Sequence, residues 1–414
     1  MRRLSGIIAA SLGAAFLSCS QPEPIGPLTA SVDRAVVVSP SAATLDVGGT
    51  QQFSAQLILN GSQKKASFNW SSSNPSVATI SSSGLATAVG PGQATITATA
   101  SRMMSGSAHV TVRQGAPQPP QVVAHLFLDG GPFGSAVSSP GVAWIGQPSF
   151  GQVTKLDVAA AAFTGTVRPG PFPVQISAKG DGSRIYVPSF FSNGMVTSTN
   201  TATGETVDTV FTTANPEDAY GVTNMTTGDT VFVGITNGPI FKVEMTSRTV
   251  LGSLALPVAA GYHFEWNKNQ TLLYASQRAF DGGRVFEIEP RSFTLLRTFE
   301  TGGSAQGIQL SADDSKLFVA AQDGGVIVWD VASNSLITTY ATPGCNGYGL
   351  LRTPDNAFLI VGCVLNGLVE VLDPTTGALI ETLNVGGRPR ELSWDPGTRS
   401  IIVPNEGGWV DILR

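Results

Sequence analysis

The chain has 414 residues, too many for one ordinary domain. Hydrophobic residues make up 42% and charged residues 13%, which excludes a disordered chain, while 47 glycines and 26 prolines favour short strands and tight turns over long helices. The net charge of −5, with no Lys/Arg run beyond the first three residues, excludes the basic field that nucleic acid would need.

Arg2 and Arg3 precede an apolar stretch, Leu4 to Leu17, that reads as an export signal too short for a stable membrane span. It ends in Phe16-Leu17-Ser18-Cys19, which resembles the lipobox of bacterial lipoproteins. The resemblance implies acylation at Cys19. Phe16 stands where that motif has Leu, and the small Ser18 also suits an ordinary signal peptidase, so plain secretion is the alternative. Residues 1–19 are read as the signal and 20–34, rich in proline, as a spacer that holds a domain off a surface.

Residues 35–113 alternate apolar and polar positions in short runs broken by Gly, Ser and Asn, the pattern of a small β-sandwich. Gly48-Gly49 and Gly84 are expected in tight turns, with Trp70, Val77, Ile80, Leu85 and Ile96 on the inner face. The strings VVVSPSAATLDVGGTQQFSA, FNWSSSNPSVATISSSGLATAVGPGQATITATA and SAHVTV resemble the group 2 bacterial immunoglobulin-like domain. That resemblance implies a stalk or an adhesive module. Residues 114–121, with three prolines and a glycine, read as a linker.

Residues 122–414 carry an internal repeat of an apolar strand, a polar turn, a strand of the LFV type, a Gly turn and two further strands. Its turn-entry residues are Ser138, Ser177, Thr223, Trp266, Ser311, Thr353 and Ser393, at steps of 39 to 46 residues. That period predicts four-stranded propeller blades, and seven anchors predict seven of them. The last unit ends one strand short, and Val122 to Leu128 is predicted to supply that strand and latch the ring. The strings LFVAAQDGGVIVWDVASNSLITTYATPG and VEVLDPTTGALIETLNVGGRPRELSWDPGTRSIIV resemble the YVTN-type β-propeller repeat of exported bacterial proteins and, more distantly, lactonase-like and streptogramin-lyase-like propellers. The fold class expected is all-β, an immunoglobulin-like sandwich followed by a seven-bladed propeller.

Cys345 and Cys363 stand nine residues either side of Pro354 in a turn sequence, Thr353-Pro354-Asp355-Asn356. Such positions face one another in an antiparallel hairpin, so a disulfide is expected, with two buried thiols as the alternative.

Catalytic residues are scarce. The three histidines are His109, His125 and His263, and only His263 falls in an innermost strand, within Tyr262-His263-Phe264-Glu265. Propeller lyases and metal-dependent lactonases need clustered His and acidic side chains at the channel. No zinc spacing, GxSxG elbow or phosphate-cradling GxGxxG accompanies them, so no metal and no cofactor is expected. Asp181 and Asp313-Asp314 are expected to bond local backbone in hairpin turns rather than hold calcium.

For binding, the mouth of the central channel is the place to look. The residue entering each innermost strand reads Phe133, Phe172, Asp218, Ala260, Gln306, Tyr348 and Arg388 around the ring, with Arg390 close by and Tyr220 and Tyr262 two residues further in. Flat aromatic faces, guanidinium groups and polar acceptors suit a peptide, protein or glycan. Packing between blades is the other role open to Phe172, Tyr220 and Tyr262. The expected protein is a monomeric binding module of the cell envelope or exterior, touching membrane only through a lipid anchor; a propeller lyase or lactonase is the alternative.

Overall fold

The computed structural model describes residues 34–100, 104–115, 117–212, 218–277 and 282–414. The export signal, the spacer and Cys19 lie outside these residues. The chain divides at residues 116/117 into two compact units. Among the described residues no helix is long and apolar enough to cross a membrane.

In the first unit, Ser105–Arg113 pairs antiparallel with Gly92–Ala100 and parallel with Ala42–Asp46, and Phe68–Ser72 completes that sheet. Two three-stranded sheets complete the unit. Strand alternation puts Phe53, Ile96, Ala98 and Val110 in the core, with Val77 buried beside them and Trp70 and Ile80 partly buried against it. Leu85 departs from expectation: it is 39% exposed, and its neighbour Ala86 is buried. The indole of Trp70 lies over Gly84, 3.1 Å from where a Cβ would stand.

In the second unit the described residues form seven four-stranded antiparallel sheets in a propeller-like arrangement. Six are built from consecutive strands, beginning at Ser135, Ser177, Ala219, Ala260, Ala305 and Gly347. The seventh joins the two ends of the unit, because Val122–Phe127 pairs antiparallel with Trp409–Leu413, with His125 opposite Asp411 and Phe127 opposite Trp409. The first strands of the first six sheets lie side by side in order, and Ser135–Ser139 flanks Ser393–Asp395 of the seventh, while an apolar cluster joins Leu351 and Ile360 of the sixth sheet to Ile401 and Val403 of the seventh. Apolar side chains of adjacent sheets interdigitate between them: Leu350, Leu359 and Val361 meet Phe318, Ala320 and Val328 of the preceding sheet.

Cys345 and Cys363 are joined by a disulfide at the entry to Gly347–Arg352. Glu370 points its ligand atoms within 4.8 Å of both sulfurs, is 1% exposed, and leaves Oε2 without a partner among the described residues. Burial pushes its carboxyl up from 4.5 to about 7. A raised acid is held protonated by the fold, so its contribution is complete below the ordinary carboxylate range and is lost as pH rises through about 7. Glu370→Gln should therefore lose less thermal stability than the parent chain between about pH 4.5 and about pH 7.5; equal losses in both would show that Glu370 does not titrate in this window.

Candidate functional site

The centre of the ring is organised by register. In four sheets the last residue of the second strand pairs with the residue that opens the first: Ile235 with Ala219, Gln277 with Ala260, Ala321 with Ala305 and Cys363 with Gly347; isolated bridges, Ser189 with Pro173 and Asn405 with Pro389, continue the pattern ahead of the shorter inner strands of two others. The residues that follow these openings are Val174, Tyr220, Gln306, Tyr348 and Arg390. With Phe133 of the first sheet and Tyr262 of the fourth, whose bulge is one residue longer, they line a chamber of about 300 Å3 at one mouth of the channel.

This differs from the expected ring at Phe172, Asp218, Ala260 and Arg388, where the position belongs to the residue two further on. Strand side chains alternate with a period of two, so a slip of two leaves every face correct. Pro173, Ala219 and Pro389 precede the ring residue, whereas Gly134, Gly307 and Gly349 follow it, and treating these small residues as equivalent shifts half the repeats. Ala260 is buried in the core. Asp218 has its Oδ1 occupied by the backbone N–H of Phe191 at 2.7 Å. Arg388 is 55% exposed, 3.6 Å from Glu406 and outside the chamber. Phe172 does line the chamber, from the rim, together with Phe190 and Gln322, which the sequence had not singled out.

Phe190 and Phe191 sit in the excursion that follows the second strand of the second sheet. Phe172, Phe190 and Phe191 contact one another, with ring centroids 4.5 to 5.9 Å apart. Phe172 and Phe191 adopt φ of 48° and 60°, a left-handed conformation that is uncommon and costly for an aromatic residue. Phe191 is 70% exposed. The signal available in the sequence was an aromatic pair set in a Ser/Asn/Gly turn.

The inner wall is tighter than flat stacking faces would require. Tyr262 and Tyr348 are 2% and 4% exposed, so they present edges rather than open rings. The hydroxyls of Tyr220 and Tyr348, from the third and sixth sheets, hydrogen-bond across the channel, and burial drives both phenols well above their ordinary value. Arg390 lies with its guanidinium 4.7 Å from the centroid of Phe133 and 4.6 Å from that of Tyr348. Its Nη2 donates to Glu406 at 2.7 Å, and its buried Nε meets no acceptor among the described residues.

One residue further in, the ring reads Gly134, Gln175, Gly221, His263, Gly307, Gly349 and Glu391. The four glycines let neighbouring sheets close up: a Cβ on Gly134, Gly221, Gly307 or Gly349 would stand 1.9 to 2.5 Å from a carbonyl oxygen of the next sheet. The other three fill the space across the axis. Nε2 of His263 lies 2.5 Å from Oε1 of Glu391, and Nε2 of Gln175 donates to that same oxygen at 3.0 Å and to the Tyr262 carbonyl at 2.7 Å. His263 is thus a buried histidine paired with a channel carboxylate, and the sequence had not singled out Glu391 as that partner. Beyond them lies a second, polar chamber of about 220 Å3, lined by Ser135, Thr223 and Gln309 among others.

Elsewhere Asp313 accepts from Ser311 and Ser315 and Asp181 from Ser183, local groups as expected, whereas Asp314 accepts from the backbone N–H of Lys268 on the preceding sheet. Among the described residues the one cluster of three side chains able to ligate a metal is Cys345, Cys363 and Glu370, and its sulfurs are joined to each other.

Comparison with known proteins adds three findings. No curated protein matches the sequence. Among solved structures the chain resembles hydrazine synthase from Kuenenia stuttgartiensis, with a TM-score of 0.61 and 16% identity over 72% of this chain and 99% of that one, a likeness of fold alone. Residues 34–112 match the bacterial Ig-like domain (group 2), a module of surface or adhesion type.

Proposed function

We propose that the protein is an exported recognition protein of the cell envelope, in which the seven sheets are the blades of a YVTN-type propeller and the chamber at the channel mouth takes part of a protein, peptide or glycan. The immunoglobulin-like domain acts as a stalk or adhesive module, and Cys19 as the lipid anchor. The observation that carries the reading is the chamber: six aromatic rings and one guanidinium converge at the end of a channel whose floor is sealed by the Gln175–His263–Glu391 contacts. Strained aromatic residues at its rim add to it.

The test is capture from cell-envelope extract with the chain from Ser20 onward as bait. Tyr220→Ala/Arg390→Ala should reduce the captured material by about tenfold or more, while Arg388→Ala, outside the chamber, should leave it unchanged. Recovery of the same material by all three baits would overturn the reading. Turnover that is sensitive to a chelator and lost in His263→Ala would favour the lyase or lactonase alternative.

A further inference from the structure

The chemistry of the chamber lining selects among ligands. Aromatic surface dominates it, and among the described residues Arg390 is the one cation in its lining. Glu406 is shared by two guanidiniums, those of Arg390 at 2.7 Å and Arg388 at 3.6 Å, and the buried Nε of Arg390 meets no acceptor among the described residues. A second donor is available. In the bond between Tyr220 and Tyr348 one hydroxyl donates and the other accepts, which leaves one phenol hydrogen uncommitted, and burial keeps both phenols protonated. A guanidinium beside a phenol O–H, enclosed by aromatic rings, is a lining for an anion on an apolar body.

Other ligand classes fit less well. An organic cation would meet Arg390 with like charge in a poorly screened space. A neutral sugar carries hydroxyls on every side, and the polar side chains other than Arg390 are the tyrosine hydroxyls, largely engaged with one another, and the amides of Gln306 and Gln322, which lie against each other at 3.4 Å. Most of its hydroxyls would be buried without partners. A volume of about 300 Å3 lies at the small end of ligand pockets and suits one ring with a short acid-bearing arm.

We propose that the chamber binds an aromatic carboxylate, its ring among Phe133, Phe172 and Phe190 and its carboxylate on Arg390 and the Tyr220/Tyr348 pair. The inference rests on the recognition reading above and narrows its ligand. Two sources share this chemistry, a free aromatic acid and the C-terminal residue of a peptide ending in Phe or Tyr.

Calorimetric titration of the chain from Ser20 onward, which retains both folded units, separates the possibilities. The probes are 3-phenylpropionate, 3-phenylpropanamide, 2-phenylethylamine, and one peptide ending in Phe with a free or an amidated terminus. The two acids should bind at least about tenfold more tightly than their amides and the amine, the loss expected when a charged hydrogen bond is removed. Arg390→Gln should abolish that preference. Tyr220→Phe/Tyr348→Phe keeps both rings and should reduce it, which covers the case in which Arg390→Gln fails to fold. Tighter binding of the free acid points to a small molecule, and tighter binding of the peptide to a chain terminus; either supports the proposal. Equal affinity for acid and amide, or an unchanged preference in the folded variants, overturns it. If extract capture still depends on Tyr220 and Arg390 while the acids show no preference, the ligand class is wrong and the recognition reading stands. If no probe binds and capture is indifferent to the chamber, both fall.

Discussion

Deleting Val122 to Leu128 is expected to lower the melting temperature of the second unit by about 10 °C or more, the consequence of losing roughly 5 kcal/mol. The strand contributes at three levels. Its backbone closes the seventh sheet through pairings from Val122 to Phe127, with further bonds between Gln121 and Arg414 and between Leu128 and Gly408; each is worth about 1 kcal/mol net. Ala124, Leu126 and Leu128 pack on Ile402, Val410 and Ile412 and on the first sheet's Ala143 and Ile145, where each lost leucine contact costs about 1 to 2 kcal/mol. Finally, Asp411, 1% exposed, accepts from Trp409 Nε1 and pairs with Nδ1 of His125 at 2.7 Å; the deletion takes away that histidine from a buried carboxyl whose ionisation burial already opposes. Truncation would also open a sheet edge. A melting temperature within about 2 °C of the parent chain would show that the ring does not depend on this latch. Leu126→Ser gives a graded version if the deletion cannot be purified.

Gly221→Ala is the second large effect. The added methyl group would stand 1.9 Å from the carbonyl oxygen of Gly261 and 2.9 Å from that of Tyr262, both backbone atoms of the next sheet, so no side-chain rotation relieves it. The third and fourth sheets would have to separate at the floor of the chamber. A cost of about 3 kcal/mol is expected, read as a lower midpoint in denaturant, together with weaker binding at the chamber, since Tyr220 and Tyr262, stacked at 4.4 Å, sit on the two strands that would part. Gly165→Ala is the control: that glycine lies on an outer strand with nothing within 4 Å of its Cβ position, and the substitution should be neutral or slightly stabilising. Equal midpoints for the two variants would mean that the sheets can adjust without cost.

The repeat period, the strand alternation and the short final unit were enough to show the all-β class, the repeated four-stranded unit and which N-terminal segment has the pattern to finish the last sheet. These follow from local rules, since periodicity and turn residues depend on near neighbours along the chain. The placement of the mouth residues was legible in part. Phe133, Gln306 and Tyr348 could be found because a glycine follows each of them, whereas Phe172, Asp218 and Arg388 lay two positions out of step, a slip that alternation cannot detect. Only the tertiary structure decided what the side chains do there. Tyr220 meets Tyr348, His263 meets Glu391 and Arg390 lies between Phe133 and Tyr348 because ring closure brings sheets far apart in sequence to one axis. His263 and Glu391 are 128 residues apart, and no local pattern encodes that distance. The hollow at the mouth, with Arg390 in its lining, exists only once the circle of sheets is complete.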